Sequence, residues 1–131
     1  MARAADMTNA ATSGSARILV VDDDEAVRDA VCYVVTGLGY TAEPARDACE
    51  ALDRFRPGLY DLVVTDFSMP VMNGLQLARR LRALEPTLPI TIFSGTALPE
   101  DPGLEIPGIT VASKPDVDAL ARFIQRALGK S

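Results

Sequence analysis

The 131-residue sequence contains no histidine and only two cysteines. Without histidine, the chain has no Ser-His-Asp or Cys-His nucleophilic site, no histidine-ligated zinc and no histidine acid–base catalysis at neutral pH. Cys32 and Cys49 form neither a disulfide framework nor a C-x-x-C metal motif, and their place in helical patterns predicts buried or half-buried thiols in a reducing compartment. Chemistry in this chain must therefore depend on carboxylates, hydroxyls and lysine.

Long hydrophobic runs and positive charge are also scarce. No segment reaches the ~18 apolar residues that a membrane-spanning helix needs, and the N-terminus lacks the apolar core of a secretory signal. We therefore expect a cytoplasmic protein with a flexible tail over residues 1–16 and one domain over 17–131.

Basic residues number 13 against 18 acidic ones, with a pI near 4.6, which argues against nucleic acid binding. Only Arg79, Arg80 and Arg82 form a tight basic group.

After residue 16 the sequence alternates between two kinds of segment. Short apolar runs predict buried strands, and apolar residues spaced at i, i+3, i+4 and i+7 predict amphipathic helices. The predicted strands are 18–21, 40–43, 62–65, 89–93 and 109–112. The predicted helices are 25–38, 47–55, 74–84 and 117–128, with Asp24 and Asp116 as N-caps for the first and last.

Strands that alternate with helices at this spacing predict an α/β fold. The arrangement favoured for five strands is a flavodoxin-like, doubly wound parallel sheet in the order 2-1-3-4-5. Between the fourth and fifth strands, the segment 96–108 contains Pro99, Pro102 and Pro107. Because each interior proline costs a helix about 3 kcal/mol, we expect the helix between these strands to be short or missing.

Polar residues stand where several predicted strands end. Asp22 and Asp23 follow the first strand, Asp66 follows the third, and Ser94 and Lys114 follow the fourth and fifth. The first and third strands are neighbours about 4.8 Å apart in the predicted order, so three carboxylates converge on one pocket. Such carboxylates repel one another unless a cation joins them, and Mg²⁺ suits carboxylate, water and phosphate oxygens. An acidic run alone fits a helix N-cap, but the whole set of strand ends does not.

The sequence resembles the receiver domains of bacterial two-component response regulators. The matching motifs are VVDDD at 20–24, TDFSMPVMNG at 65–74, FSG at 93–95 and SKP at 113–115. The resemblance implies a phosphoacceptor domain in a phosphorelay. Its partners would be a sensor histidine kinase, or the kinase part of a hybrid kinase, and a downstream protein target, with no nucleic acid and no membrane.

The resemblance also implies Mg²⁺ as the cofactor and Asp66 as the residue that accepts the phosphoryl group. Asp23 and Asp66 would bind the ion directly, the backbone carbonyl of Ser68 would add a ligand, and Asp22 would act mainly through water. The metal would neutralise charge on the phosphoryl oxygens during transfer. The domain would thus be no conventional enzyme, catalysing at most its own phosphorylation and dephosphorylation.

The remaining strand ends have roles implied by the same resemblance. Lys114 would pair with one phosphoryl oxygen and Ser94 would hydrogen-bond another, and the bond between Lys114 and Pro115 would be cis. The chain departs from the family at Val111, where an aromatic residue is common, and at Asp116, where phenylalanine is frequent. These departures, together with the proline-rich crossover, predict that phosphorylation is retained but that partner proteins recognise a surface that differs from the family's usual signalling surface.

Two other functions remain open at this point. A phosphorylation-independent interaction module would keep only the receiver fold, and Val111 favours it. A phosphatase of the haloacid dehalogenase type would need a second acid two residues after the nucleophile, where this chain has Ser68, and more chain to enclose a substrate. The sequence is equally compatible with a stand-alone receiver and with a receiver from a hybrid sensor kinase.

Overall fold

The structure, a computed structural model, describes residues 16–95, 109–114 and 116–128. The expectations for the N-terminal tail, for the crossover at 96–108 and for the Lys114–Pro115 peptide bond fall on residues outside these ranges. None of the helices in the described ranges has the length and apolar character needed to cross a membrane.

Strands and helices alternate along the described residues. The strands are β1 (Arg17–Val21), β2 (Thr41–Ala45), β3 (Leu62–Thr65), β4 (Ile90–Ser94) and β5 (Ile109–Ser113). The helices are α1 (Glu25–Gly37), α2 (Ala48–Arg54), α3 (Gly74–Leu84) and α4 (Val117–Ala127). The predicted alternation is therefore confirmed, and the largest difference in bounds is at β2, which lies slightly further along the chain than predicted.

The five strands form one parallel sheet in the order β2-β1-β3-β4-β5, as the sequence predicts. Val21 at the end of β1 pairs with Thr65 at the end of β3. Because the two strands are parallel and in register, the residues that follow them, Asp22 and Asp66, leave the sheet side by side. The register of the two central strands thus places two carboxylates at one edge.

Two helical layers cover the sheet. Every residue of β3 and β4 is buried, which matches the continuous apolar runs expected of strands covered on both faces. The side chains of α1 and α4 that pack on one face are Val31, Val35, Leu120 and Ile124. The side chains of α2 and α3 that pack on the other face are Ala48, Ala51, Leu77, Ala78 and Leu81. Two apolar cores, one on each face, hold the strand ends in place.

Some apolar residues of the predicted amphipathic helices are exposed in the structure. Leu84 is the last residue of α3 and is 53% exposed, because the chain leaves the core there. Ala30 of α1 and Cys49 of α2 are also exposed, since neighbouring positions on a helix differ by about 100° and only one side meets the sheet. The prediction of a half-buried thiol is confirmed for Cys32 and wrong for Cys49.

Tyr60 anchors the chain just before β3. Its side chain is 2% exposed, its ring stacks on Phe55 with centroids 6.0 Å apart, and its hydroxyl donates a hydrogen bond to the Glu43 carboxylate. Burial, the hydrogen bond to Glu43 and the charge of Glu43 raise the pKa of Tyr60 from 10.0 to about 12. The phenol is therefore protonated in the folded protein at a pH where the unfolded chain ionises.

We expect this tyrosine to make the protein sensitive to alkali. A pKa raised in the folded state stabilises the fold below the unfolded pKa of 10.0, and that stabilisation is lost as the pH rises to about 12. The loss should be about 2 kcal/mol in the free energy of unfolding. Urea denaturation at several pH values checks this, with the exposed Tyr33 as the matched position. Tyr60→Phe should flatten the alkaline part of the profile and Tyr33→Phe should not, whereas two parallel profiles would contradict the expectation.

Candidate functional site

Three carboxylates meet at the carboxyl edge of the sheet. Oxygen atoms of Asp22, Asp23 and Asp66 lie within 4.8 Å of one another. Asp22 and Asp66 are buried, with 3% and 7% of their surfaces exposed, whereas Asp23 faces solvent. Clustered hard oxygen donors with one side open are a suitable donor set for Mg²⁺, which retains waters and takes few protein ligands. The convergence predicted from the strand ends is therefore present.

Lys114 enters this pocket from the end of β5. Its Nζ donates hydrogen bonds to Asp22 Oδ2 and to Asp66 Oδ1, each at 3.0 Å. Its backbone N–H donates to the carbonyl of Ser94 at 2.8 Å, and its ammonium lies 6.0 Å from the centre of the Phe93 ring. One ammonium among three carboxylates leaves the cluster with net negative charge, which a divalent cation can balance.

The electrostatics of the pocket show in two pKa shifts. Burial raises the pKa of Asp22, and the neighbouring charge of Asp66 adds to this, while hydrogen bonds from Asp24 and Lys114 oppose it. Burial acts to lower the pKa of Lys114, but its hydrogen bonds to Asp66 and Asp22 and their charges outweigh burial and raise it. The lysine is therefore held as a cation, and the protonated form of Asp22 is favoured relative to a free carboxyl group.

Short local contacts fix the position of Asp22. The backbone N–H of Asp24 donates to Asp22 Oδ1 at 2.9 Å, and Asp24 itself caps α1 as predicted. Arg28 Nη1 donates to the backbone carbonyl of Asp22 at 2.8 Å. The role of Arg28 was not predicted from the sequence. The available signal is an arginine near the start of α1, shortly after the acidic residues that follow β1. The first turns of α1 therefore position a carboxylate of the site.

The serines named as site residues take different positions. Ser94 is 4% exposed at the end of β4, at the same edge of the sheet as the carboxylates. Ser68 is exposed, two residues after Asp66 in the loop that leads to α3. Ser94 thus ends β4 next to Lys114, whose backbone N–H donates to its carbonyl. The roles of the Ser94 hydroxyl and of the Ser68 carbonyl remain predictions.

Gly74, the first residue of α3, packs directly on the backbone of Asp66. Its N–H donates to the carbonyl of Phe67 at 2.7 Å. A Cβ at this position would overlap the carbonyl oxygen of Asp66 and lie 3.0 Å from the Cα of Phe67. Only glycine allows α3 to start this close to the strand end that carries Asp66.

Gly74→Ala is expected to lower the free energy of unfolding by about 2 kcal/mol, because the obstructing atoms are backbone and must move. Gly37 at the end of α1 offers the matched control, since a Cβ there meets nothing within 4 Å. Gly37→Ala should leave stability unchanged or raise it slightly. Urea denaturation of both variants measures the difference, and equal stabilities would contradict the close packing at Gly74.

Comparisons with known proteins agree on one family. The model of the response regulator receiver domain matches residues 18–120. The gliding motility regulatory protein of Myxococcus xanthus is 35% identical over 126 residues, which make up 92% of this chain and 16% of that protein. Response regulator MprA of Mycobacterium bovis is 42% identical over 80 residues, 61% of this chain and 35% of that protein. The chain thus spans about a third or less of these curated relatives.

A solved structure shows the same fold. The response regulator TrrA of Thermotoga maritima, crystallised in complex with Mg²⁺-BeF, superposes with a TM-score of 0.78 at 28% identity and covers 86% of this chain and 98% of that one. The sheet order and the acidic pocket agree with this likeness. This chain is a member of the response regulator receiver domain family, with a CheY-like fold and an acidic pocket at the carboxyl edge of its sheet.

Proposed function

We propose that the chain is the phosphoacceptor of a two-component phosphorelay, taking a phosphoryl group from a histidine kinase onto Asp66. Mg²⁺ would be held by Asp23 and Asp66 directly, by the Ser68 carbonyl, and by Asp22 through water. The observation that carries this proposal is the cluster of three carboxylates, two of which, Asp22 and Asp66, accept hydrogen bonds from Lys114 Nζ at 3.0 Å.

The residues of the pocket fit the chemistry of phosphoryl transfer. An oxygen of the Asp66 carboxylate attacks the phosphorus, and the P–N bond of the donor's phosphohistidine breaks. The bonding electron pair returns to the imidazole, which takes up a proton. When bound, Mg²⁺ supplies charge neutralisation on the transferring phosphoryl oxygens.

Two side chains would then hold the acquired phosphoryl group. Lys114 already contacts Asp66 Oδ1, so its ammonium stands next to the oxygens that the group brings. Ser94 would donate its hydroxyl to another phosphoryl oxygen. These contacts differ between the two states of Asp66, and such differential contacts are what shifts an equilibrium between inactive and active conformations.

Because these 131 residues contain no histidine, the proposed phosphohistidine donor lies outside them, in a separate histidine kinase or in the kinase part of a hybrid kinase. Receiver domains are signalling modules, and the family membership agrees with a histidine kinase as partner. We propose that residues 17–131 form the working domain in the cytoplasm and that a downstream protein target reads its state. A tail over residues 1–16 completes the proposed organisation.

A phosphorylation-independent interaction module is the second candidate. It is favoured by Val111, which is 40% exposed on β5 at a position where the family commonly has an aromatic residue. Such a module would keep the fold while Asp66 never accepts a phosphoryl group. The two candidates differ in whether the pocket responds to a phosphoryl mimic.

Beryllofluoride with Mg²⁺ separates these candidates when followed by ¹H–¹⁵N correlation spectra. The phosphoacceptor proposal expects Mg²⁺-dependent shifts of the amides at the ends of β1, β3, β4 and β5. Asp66→Asn should abolish them, and Asp53→Asn, at an exposed carboxylate on α2, should not. Spectra that do not change, or changes that persist in Asp66→Asn, would support the interaction module instead.

A further inference from the structure

Arg28 lies near the start of α1 and contacts the backbone of the acidic pocket. The residue is half-buried, and its Nη1 donates to the carbonyl oxygen of Asp22 at 2.8 Å. Its own backbone N–H donates to the carbonyl of Asp24 at 2.9 Å, which places it in the first hydrogen-bonded turn of the helix. The guanidinium group therefore ties the start of α1 to the residue that follows β1.

The oxygen that Arg28 contacts belongs to the peptide group between Asp22 and Asp23. Because a peptide group is planar, holding its oxygen also fixes the direction in which the chain enters Asp23. The next peptide group is held as well, since the N–H of Asp24 donates to Asp22 Oδ1 at 2.9 Å. Both peptide groups that flank Asp23 are thus held by hydrogen bonds.

The carboxylate of Asp23 depends on its backbone for its position. Asp23 is the exposed member of the carboxylate cluster, and in the part of the chain that the structure describes its side chain has no hydrogen bond or ion pair. By contrast, Asp22 and Asp66 each accept a hydrogen bond from Lys114 Nζ. What holds the two flanking peptide groups therefore also sets where the Asp23 carboxylate lies.

We infer that Arg28 is a positioning residue for the Mg²⁺ site and acts on Asp23 through the peptide group between Asp22 and Asp23. This inference rests on the proposed function, in which Asp23 binds the ion directly. Mg²⁺ demands near-ideal ligand positions, so a displaced carboxylate weakens its binding. Replacing a residue that orients a metal ligand without touching the metal typically weakens binding about 10- to 100-fold.

The charge of Arg28 acts in the opposite direction from its hydrogen bond. A guanidinium group is always protonated in a protein, and it repels a divalent cation bound nearby. If only this charge mattered, removal of Arg28 would strengthen Mg²⁺ binding. If positioning dominates, removal weakens binding although the repulsion is also lost. The sign of the change in affinity therefore distinguishes the two effects.

Titration with MgCl₂, followed by ¹H–¹⁵N correlation spectra, measures the dissociation constant on the folded protein. Arg28→Met removes the donor and is expected to weaken Mg²⁺ binding about tenfold. Arg28→Lys keeps the charge but lacks the planar guanidinium group, so its affinity should lie between those of Arg28→Met and the wild type. Arg46→Met is the matched control, because Arg46 follows β2 at the same edge of the sheet and its side chain is 75% exposed. This control should not weaken binding.

Amide exchange without Mg²⁺ separates positioning from a loss of overall stability. Arg28→Met should accelerate exchange at the N–H of Asp24, which belongs to one of the held peptide groups. The acceleration should be larger there than at the N–H of Val35, a buried residue further along α1. Equal acceleration at both amides would indicate a merely structural role for Arg28 and would overturn the inference.

The affinities decide the inference separately from the proposed function. Binding by Arg28→Met that is as tight as in the wild type or tighter would overturn it, as would wild-type affinity in Arg28→Lys or equal weakening in Arg46→Met. In each of these cases the wild type still binds Mg²⁺, so the proposed function stands. A wild-type protein that shows no response to Mg²⁺ would contradict the proposed metal site together with this inference.

Discussion

Replacing Lys114 by methionine is expected to lower the free energy of unfolding at neutral pH by about 3 kcal/mol. The lysine bonds to two carboxylates whose side chains are only 4% and 9% exposed, those of Asp22 and Asp66. Its removal leaves two buried like charges facing each other with no positive partner in the described contacts. Urea denaturation measures the loss, and Arg122→Met, which removes a positive charge from the exposed side of α4, provides the control.

The free energy of unfolding that is lost in Lys114→Met should become smaller as the pH falls. The pKa of Asp22 is already raised above 3.8 by burial, and removing the ammonium raises it further. The native state then binds protons more readily than the unfolded chain, so lowering the pH adds stability. The difference between Lys114→Met and wild type should shrink as the pH falls toward 3.8, and a difference that grows in acid would contradict the ion-pair account.

Mg²⁺ is expected to stabilise the protein through the same carboxylates, and Asp23→Asn is expected to remove most of that effect. At a concentration one hundred times its dissociation constant, the ion should add about 2.7 kcal/mol to the free energy of unfolding. Asp23 is the exposed member of the cluster, so its substitution leaves the Lys114 contacts with Asp22 and Asp66 in place. Denaturation with and without Mg²⁺ measures both quantities.

The Asp23 variant separates a metal ligand from a structural residue. Without Mg²⁺, Asp23→Asn should be at least as stable as the wild type, because one charge of a crowded cluster is gone. The variant should nevertheless fail to respond to Mg²⁺, whereas Asp29→Asn, at an exposed carboxylate of α1, should respond fully. A wild-type response in Asp23→Asn would remove Asp23 from the ligand set.

The fold could be predicted because each element carries its own local signal. The buried strands are unbroken apolar runs, and Asp24 and Asp116 cap α1 and α4 as their positions indicate. Alternation predicts parallel strands, and the order favoured for five of them brings Asp22 beside Asp66 without any knowledge of side-chain contacts. The pocket is therefore a consequence of the order and register of the strands in the sheet.

Other features could not be predicted because they depend on tertiary contacts or on backbone geometry. That Gly74 touches the backbone of Asp66, or that Arg28 reaches the carbonyl of Asp22, depends on how α3 and α1 dock. Val71 has a positive φ that valine disfavours, so residue type argues against the observed turn. The exposure of Cys49 and Leu84 could not be predicted either. The spacing of apolar residues predicts a helix, but it does not determine how many of its side chains are buried.

Intact-protein mass measurement after incubation with acetyl phosphate tests the central claim most directly. The account predicts a Mg²⁺-dependent mass gain of one phosphoryl group, located at Asp66 by peptide mapping. Asp66→Asn, shown to be folded by circular dichroism, should gain none, and Asp53→Asn should gain as much as the wild type. No gain in the wild-type protein, or a gain that survives in Asp66→Asn, would contradict phosphoryl acceptance at this residue.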